Sequence, residues 1–111
     1  MNVCILSGII CKGLEFVNLK NDNLLVKGKI AVKKSFSVEE GESQYNFIRF
    51  YSFGNVAQNM QNRLNEKDIV ILSGEWSINE FTLNDGKICT VNELYVTKFE
   101  ITKKHQNEIG G

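Results

Sequence analysis

The stretch that decides the fold is Tyr45-Asn46-Phe47-Ile48-Arg49-Phe50-Tyr51-Ser52-Phe53-Gly54. Because successive side chains of a strand point to opposite faces, one face of this stretch carries aromatic rings around a cation: Tyr45, Phe47, Arg49, Tyr51 and Phe53. A buried face rarely holds a guanidinium, since its five N–H donors all need partners. Exposed rings beside a cation are surfaces on which unpaired nucleic-acid bases stack. The stretch alone is equally compatible with a core face of strand-forming aromatics from which Arg49 reaches water.

The composition predicts one domain without a net charge. A chain of 111 residues is long enough for a single core but not for two. Its 13 basic and 13 acidic side chains give a formal net charge of zero, so no global basic excess attracts a polyanion. The segment 20–34, however, contains one acid, Asp22, and five lysines: Lys20, Lys27, Lys29, Lys33 and Lys34. This stripe can guide a phosphate backbone, although a solvated strand face explains each lysine equally well.

Several classes of function are disfavoured by the sequence. The N-terminus has no basic region, and no apolar stretch approaches the roughly 18 residues that span a membrane, so we expect a cytoplasmic protein. Cys4, Cys11 and Cys89 show no ligand spacing, and His105 is the single histidine, which predicts reduced thiols, no metal site and no cofactor. The carboxylates fall in predicted loops without paired spacing, which argues against a small nuclease or another enzyme.

The hydrophobic pattern predicts five strands and one short helix. A helix capped by Asn55 carries Ala57, Met60 and Leu64 on one stripe and ends at 65–68. The turn signal Asn84-Asp85-Gly86 separates the last two strands, and a polar loop over 37–44 separates the second from the third. The predicted strands cover 3–10, 24–34, 45–54, 69–78 and 88–101.

The tetrapeptide Ile-Leu-Ser-Gly occurs twice, at 5–8 and at 71–74. We interpret the two copies as strands that are bulged at Gly8 and Gly74 and have a similar task. Five strands with a helix between the third and fourth predict an all-β protein, a five-stranded OB-fold barrel. A small sandwich is the alternative, but it would not call for the central helix. The domain is predicted over 1–102, with a short polar C-terminal tail over 103–111.

The sequence resembles the bacterial and phage single-stranded DNA-binding (SSB) proteins over 2–101. The resemblance rests on short motifs in a fixed order: Asn2-x-x-Ile5-Leu6-x-Gly8, Ile30-Ala31-Val32, Phe47-Ile48-Arg49, Ser52-Phe53-Gly54, Ala57 and Ser73-Gly74. It implies an OB-fold that wraps single-stranded DNA without sequence preference, usually as a homotetramer. It also implies a role in replication, recombination or repair. The alternative is an OB-fold adaptor of a replication or recombination complex with weak or no DNA binding.

The resemblance also implies a site. The positions that match the family's stacking aromatics are Phe36, Phe47, Phe53 and Phe81, and the family's third-strand arginine matches Arg49. From the residues themselves we add Tyr51 as a stacking candidate and Lys27, Lys33 and Lys34 as phosphate contacts. A structural role is the alternative to stacking for two of these rings: Phe36 could cap the end of the barrel, and Tyr51 could pack against the helix. We expect Trp76, Ile48 and Phe50 in the core or at a subunit interface, because they lie on apolar faces.

The sequence departs from the SSB pattern at several positions. Val3, Ser77 and Asn79 stand where the family commonly has basic residues, which implies a weaker salt dependence of binding. The chain contains no proline and shows no linker to the acidic tip through which typical members recruit partner proteins. We therefore expect a phage-like short form that acts in the host cytoplasm, and the resemblance leaves recruitment through such a tip in doubt.

Overall fold

The computed structural model describes residues 1–36, 39–41 and 43–106. A short 3₁₀ turn spans Lys20–Asp22. The strands and the helix are, in chain order, β1 Cys4–Ile10, β2 Glu15–Asn18, β3 Leu24–Lys33, β4 Tyr45–Phe53, α1 Gly54–Arg63, β5 Ile69–Thr82 and β6 Ile88–Lys103. The helix lies between β4 and β5, as predicted.

Five of these strands pair in a closed ring. β3 pairs antiparallel with β4, β4 pairs parallel with β6, and β6 pairs antiparallel with β5. β5 then pairs antiparallel with β1, and the end of β1 pairs with β3 through Ile9 and Ile10, which closes the ring. This is the predicted OB-fold. The short strand β2 lies against the first part of β3 and was not predicted, because its four residues show no clear alternation.

The two Ile-Leu-Ser-Gly copies pair with each other. Leu6 lies opposite Leu72 at the centre of an antiparallel pairing in which 5–7 face 71–73. Each glycine permits a close approach of the next strand, since a Cβ on Gly8 would lie 2.2 Å from the carbonyl oxygen of Ala31 and one on Gly74 would lie 1.8 Å from that of Tyr95. The two glycines therefore have the same role, which is to let a neighbouring strand approach closely.

The predicted bulge at Gly8 is wrong, because β1 runs along β5 without a register shift. The irregularities lie between β5 and β6, at Ile69/Val70 and at Ser73/Gly74. In both places β6 has one extra residue, Thr102 or Thr97, whose hydroxyl donates to a β5 carbonyl at 3.1 Å or 3.3 Å. The two hydroxyls therefore satisfy backbone carbonyls at the positions where the register between β5 and β6 shifts.

One hydrophobic core fills the barrel and the space under α1. The helix packs against β3, β4 and β6. Phe50 is buried as predicted, and Ile48 and Trp76 are partly buried against the core. Ser52 is buried and donates its hydroxyl to the carbonyl of Val96 at 2.6 Å. The core residues are Ile10, Leu24, Val26, Ile30, Phe50, Ala57, Met60, Leu64, Val70, Leu72, Leu94 and Val96.

The helix does not begin with the predicted cap. Asn55 lies inside α1, and Phe53 is the N-cap residue without a side-chain cap hydrogen bond. Gly54 takes a φ of +62° at the junction, a conformation that glycine adopts without strain. The chain therefore turns from strand to helix through a glycine and not through a side-chain cap. The predicted stripe of Ala57, Met60 and Leu64 is confirmed, since all three are buried.

A buried carboxylate ties the chain after β6 to the end of the helix. Asp68 accepts hydrogen bonds from the Lys104 ammonium at 2.7 Å, the His105 backbone N–H at 2.8 Å and the Asn65 backbone N–H at 2.9 Å. Burial alone raises the pKa of Asp68, but these three donors outweigh it and hold the pKa below its ordinary value. The predicted tail over 103–111 begins inside β6, and 107–111 lie outside the described residues.

Candidate nucleic-acid interface

The outward side chains of β3, β4 and β6 form one continuous face, with β2 and β5 at its margins. We call it the aromatic face, and strand register arranges it in rows across the sheet. An apolar row of Val17, Leu25 and Phe53 comes first. The next two rows consist of Glu15, Lys27, Tyr51, Tyr95 and Glu75, and of Lys29, Arg49, Glu93 and Ser77. The pairs Ala31–Phe47 and Lys33–Tyr45 follow.

Three rings meet near the centre of the aromatic face. The ring centroids of Tyr51 and Tyr95 are 5.3 Å apart at an interplanar angle of 32°, and those of Tyr51 and Phe53 are 5.7 Å apart at 78°. The Tyr51 hydroxyl donates to Ser77 Oγ at 3.3 Å. The sequence left two alternatives for Tyr51, a place among the stacking candidates or packing against the helix. The structure places its ring among the rings of the aromatic face.

The four predicted stacking phenylalanines are all exposed. Phe47 is 61% exposed, Phe53 42%, Phe36 72% and Phe81 53%. Leaving large rings in water forfeits the free energy of their burial, so a group of them marks a binding surface better than single exposed residues do. Phe47 and Phe53 lie on β4 within the aromatic face. Phe36 follows the end of β3, and Phe81 lies near the tip of the β5–β6 hairpin, opposite Cys89.

The basic side chains of β3 lie opposite the aromatic residues of β4. Lys27 is opposite Tyr51, and Lys33 is opposite Tyr45, and both lysines are exposed. Lys34 is half-buried, and its backbone N–H donates to the Gln44 carbonyl at 2.8 Å, which closes the base of the loop between β3 and β4. These positions leave the predicted phosphate contacts on the β3 side of the face.

The charge of the aromatic face changes sign across the sheet. Exposed Arg49 lies opposite Lys29 of β3 on one side and opposite Glu93 of β6 on the other. Glu75 of β5 lies opposite Tyr95 of β6. The β3 side is therefore basic, and the β5–β6 side carries carboxylates. This asymmetry makes the β3 side of the face more attractive to anions than the β5–β6 side.

Tyr95 and Lys29 lie on the aromatic face but were not predicted as individual site residues. Tyr95 belongs to the ring cluster because β4 and β6 pair in parallel, and nothing local in the sequence reveals that pairing. Lys29 lay within the predicted lysine stripe, but only the register shows that it lies opposite Arg49.

Within 1–36, 39–41 and 43–106, no group of three or more His, Cys, Asp or Glu side chains is arranged to hold a metal ion. No helix among the described residues is long and apolar enough to cross a membrane.

The closed ring of strands, the helix after the third strand of the ring and the exposed aromatic face define an OB-fold domain with a candidate surface for single-stranded nucleic acid. Residues 1–102 match the single-strand binding protein family. The chain belongs to this family. It is 25% identical over 111 residues to single-stranded DNA-binding protein 3 of Listeria innocua serovar 6a, covering 100% of this chain and 69% of that protein.

A solved structure shows the same fold. The SSB domain of a protein from Synechococcus sp. superposes with a TM-score of 0.65 and covers 89% of this chain and 93% of that domain. The sequences are 21% identical, so this likeness supports the fold alone.

Proposed function

We propose that this protein binds single-stranded DNA without sequence preference and protects it during replication, recombination or repair. The observation that carries the proposal is the aromatic face, where Phe47 and Phe53 remain exposed on a strand of an SSB-family barrel. Bases stack on Phe36, Phe47, Phe53, Phe81 and Tyr51, while Arg49, Lys27, Lys33 and Lys34 attract phosphates.

Stacking supplies the affinity that the net charge does not. Each base stacked on an aromatic side chain contributes on the order of 1–3 kcal/mol, and every base has a π-face. Several rings therefore bind a strand usefully and without reading its sequence, although the formal net charge is zero. The mechanism involves no bond making or breaking, so we propose a non-enzymatic binder that needs no cofactor. It acts in the cytoplasm, that of the host if a phage encodes it.

The test is to remove single rings from the aromatic face. Phe47→Ala and Phe53→Ala are expected to weaken binding of labelled oligo-dT by about tenfold each, since each loses one stacked base. Both rings are substantially exposed, so the thermal midpoint should stay near that of the wild type. Fluorescence anisotropy measures the affinity, and circular dichroism checks the fold.

Two further variants at position 47 separate stacking from apolar contact. Phe47→Tyr keeps the ring and should bind like the wild type, whereas Phe47→Leu keeps apolar bulk without a π-face and should bind like Phe47→Ala. Unchanged affinity for both Phe47→Ala and Phe53→Ala would show that the aromatic face is not the site.

The second candidate is an adaptor that binds proteins of a replication or recombination complex and has little affinity for DNA. The carboxylates of Glu75 and Glu93 on the β5–β6 side favour it, as does the absence of charge at Ser77 and Asn79. A gel shift with oligo-dT at low and moderate salt distinguishes the two, because the adaptor would leave the oligonucleotide free at both.

A further inference from the structure

A cleft of about 360 Å³ opens over the basic side of the aromatic face, between the β1–β2 loop and the β3–β4 pair. Lys12 and Gly13 form its wall on the loop side, and Gly28 lies in β3 opposite Phe50. A Cβ on Gly28 would lie 2.6 Å from the Phe50 ring. A side chain at position 28 would therefore collide with that ring. Residues of the two central rows of the aromatic face also line the cleft.

The cleft carries an excess of positive charge. Lys12, Lys27, Lys29 and Arg49 line it together with the carboxylates of Glu15 and Glu93. None of its cations forms a salt bridge, since the pairs within the described part of the chain are Lys87–Asp85 and Lys104–Asp68. Cations held close together repel one another, and an anion bound between them relieves that repulsion.

Lys12 is held at this cleft by backbone contacts on both sides. The backbone N–H of Cys11 donates to the Lys29 carbonyl at 2.9 Å. Beyond Lys12, the N–H groups of Gly13 and Leu14 both donate to one carboxylate oxygen of Glu66, at 2.7 Å and 3.1 Å. Hydrogen bonds from backbone N–H groups to a carboxylate are among the stronger ones. The loop is thereby fastened at the residue before Lys12 and at the two after it.

We propose that this cleft is a phosphate-binding subsite for the DNA backbone, with Lys12 as a contact residue and Glu66 as the positioning residue that holds Lys12 there. The inference rests on the proposed function and adds a route for the strand. The phosphates follow the β3 side through the cleft, and the bases lie over β4 towards Tyr95. Glu75, which lies on β5 outside the cleft, repels phosphates from the opposite side of the face.

Salt-dependent binding tests the contact. Lys12→Ala should weaken oligo-dT binding several-fold at low salt and lower the slope of log K against log salt concentration by about 0.7, the value for one phosphate on a single strand. Lys103→Ala removes the same charge from an exposed position outside the cleft and should change neither quantity. Equal slopes for Lys12→Ala and the wild type would exclude the subsite.

Variants at Glu66 test the positioning role. Glu66→Ala should reduce affinity and slope as Lys12→Ala does, and it should add nothing in a Lys12→Ala background. Glu66→Gln retains an acceptor oxygen for Gly13 and Leu14 and should restore most of the affinity. An equal loss from Glu66→Ala in both backgrounds would mean that Glu66 serves the fold and not Lys12. If the wild-type protein did not bind oligo-dT, the proposed function itself would be refuted.

Discussion

A methyl group does not fit beside Gly74, because a Cβ there would lie 1.8 Å from the carbonyl oxygen of Tyr95. The same holds for Gly8, where the distance to the carbonyl oxygen of Ala31 is 2.2 Å. Both obstacles are backbone atoms, so neither can move without disturbing a strand pair. We expect Gly74→Ala and Gly8→Ala each to lower the free energy of unfolding by about 3 kcal/mol.

The matched control is Gly86→Ala in the β5–β6 turn. Gly86 has a φ of +84° and open space around its Cα, so alanine there costs only the left-handed conformation, about 1 kcal/mol. Urea denaturation measures all three variants. Gly8 and Gly74 do not have positive φ, so losses no larger than that of Gly86→Ala would contradict the steric role of these two glycines.

Much of the residue-level detail follows from alternation. The period of two along 45–54 correctly separates exposed Phe47 and Phe53 from buried Phe50. It cannot identify Tyr95, because that assignment depends on a parallel pairing between β4 and β6. The contact between the β1–β2 loop and Glu66 is equally invisible in the sequence, since the two segments lie far apart along the chain.

At the scale of elements, the connection between α1 and β5 depends on the ionised carboxylate of Asp68. Its pKa in the folded protein lies below the ordinary value, so the charged form favours the folded state. This contribution is complete above the unfolded pKa of about 3.9. It is lost as the pH falls through the lower, folded pKa.

We therefore expect the acid limb of the stability curve to flatten in Asp68→Asn. The same variant should lose about 2 kcal/mol at neutral pH, since the amide forms weaker hydrogen bonds with Lys104 and leaves a buried donor of its own without a partner. Asp85→Asn, at an exposed turn position, makes the same charge change and should keep the wild-type pH profile. Denaturant unfolding between neutral pH and pH 3 gives the comparison, and parallel curves for Asp68→Asn and the wild type would contradict the role of Asp68.

The number and order of the main strands could be predicted, but the start of the helix and the irregularities in strand pairing could not. Long alternating runs identify β3 and β4, and the Asn84-Asp85-Gly86 signal correctly identifies the final turn, where Gly86 has positive φ. The start of α1 was misplaced because the reversal uses a glycine with positive φ. The irregularities at Thr97 and Thr102 depend on the register of β6 against β5, which no local pattern encodes.

At the scale of the whole molecule, the first half of β1 has an open side. Within the described residues, β1 pairs with β3 only at Ile9 and Ile10. Val3 is 64% exposed and Ile5 62% exposed beside this open edge. An unpaired strand edge with apolar neighbours is suited to symmetric pairing with a second copy of the chain, and we propose a homo-oligomer, with a tetramer expected.

Size-exclusion chromatography with light scattering, with and without oligo-dT, gives the mass of the assembly. Ile5→Lys should shift it to a smaller species, because the charge would have to be buried at the pairing edge. Ile88→Lys introduces the same charge at a similarly exposed position, 67%, on the β5–β6 hairpin, and should leave the mass unchanged. A monomeric wild type under both conditions would refute the oligomer.

The pairing of the two Ile-Leu-Ser-Gly copies also determines when the protein can fold during its synthesis. Cys4 lies opposite Gly74, so β1 leaves the ribosome long before its partner has been translated. β6, the last strand, contributes both its pairing with β4 and its pairing with β5. Such distant pairings carry a high entropic cost of loop closure and slow folding. The nascent chain therefore completes its barrel only after its last strand has emerged. Until then, the edges of β4 and β5 that pair with β6 remain unpaired.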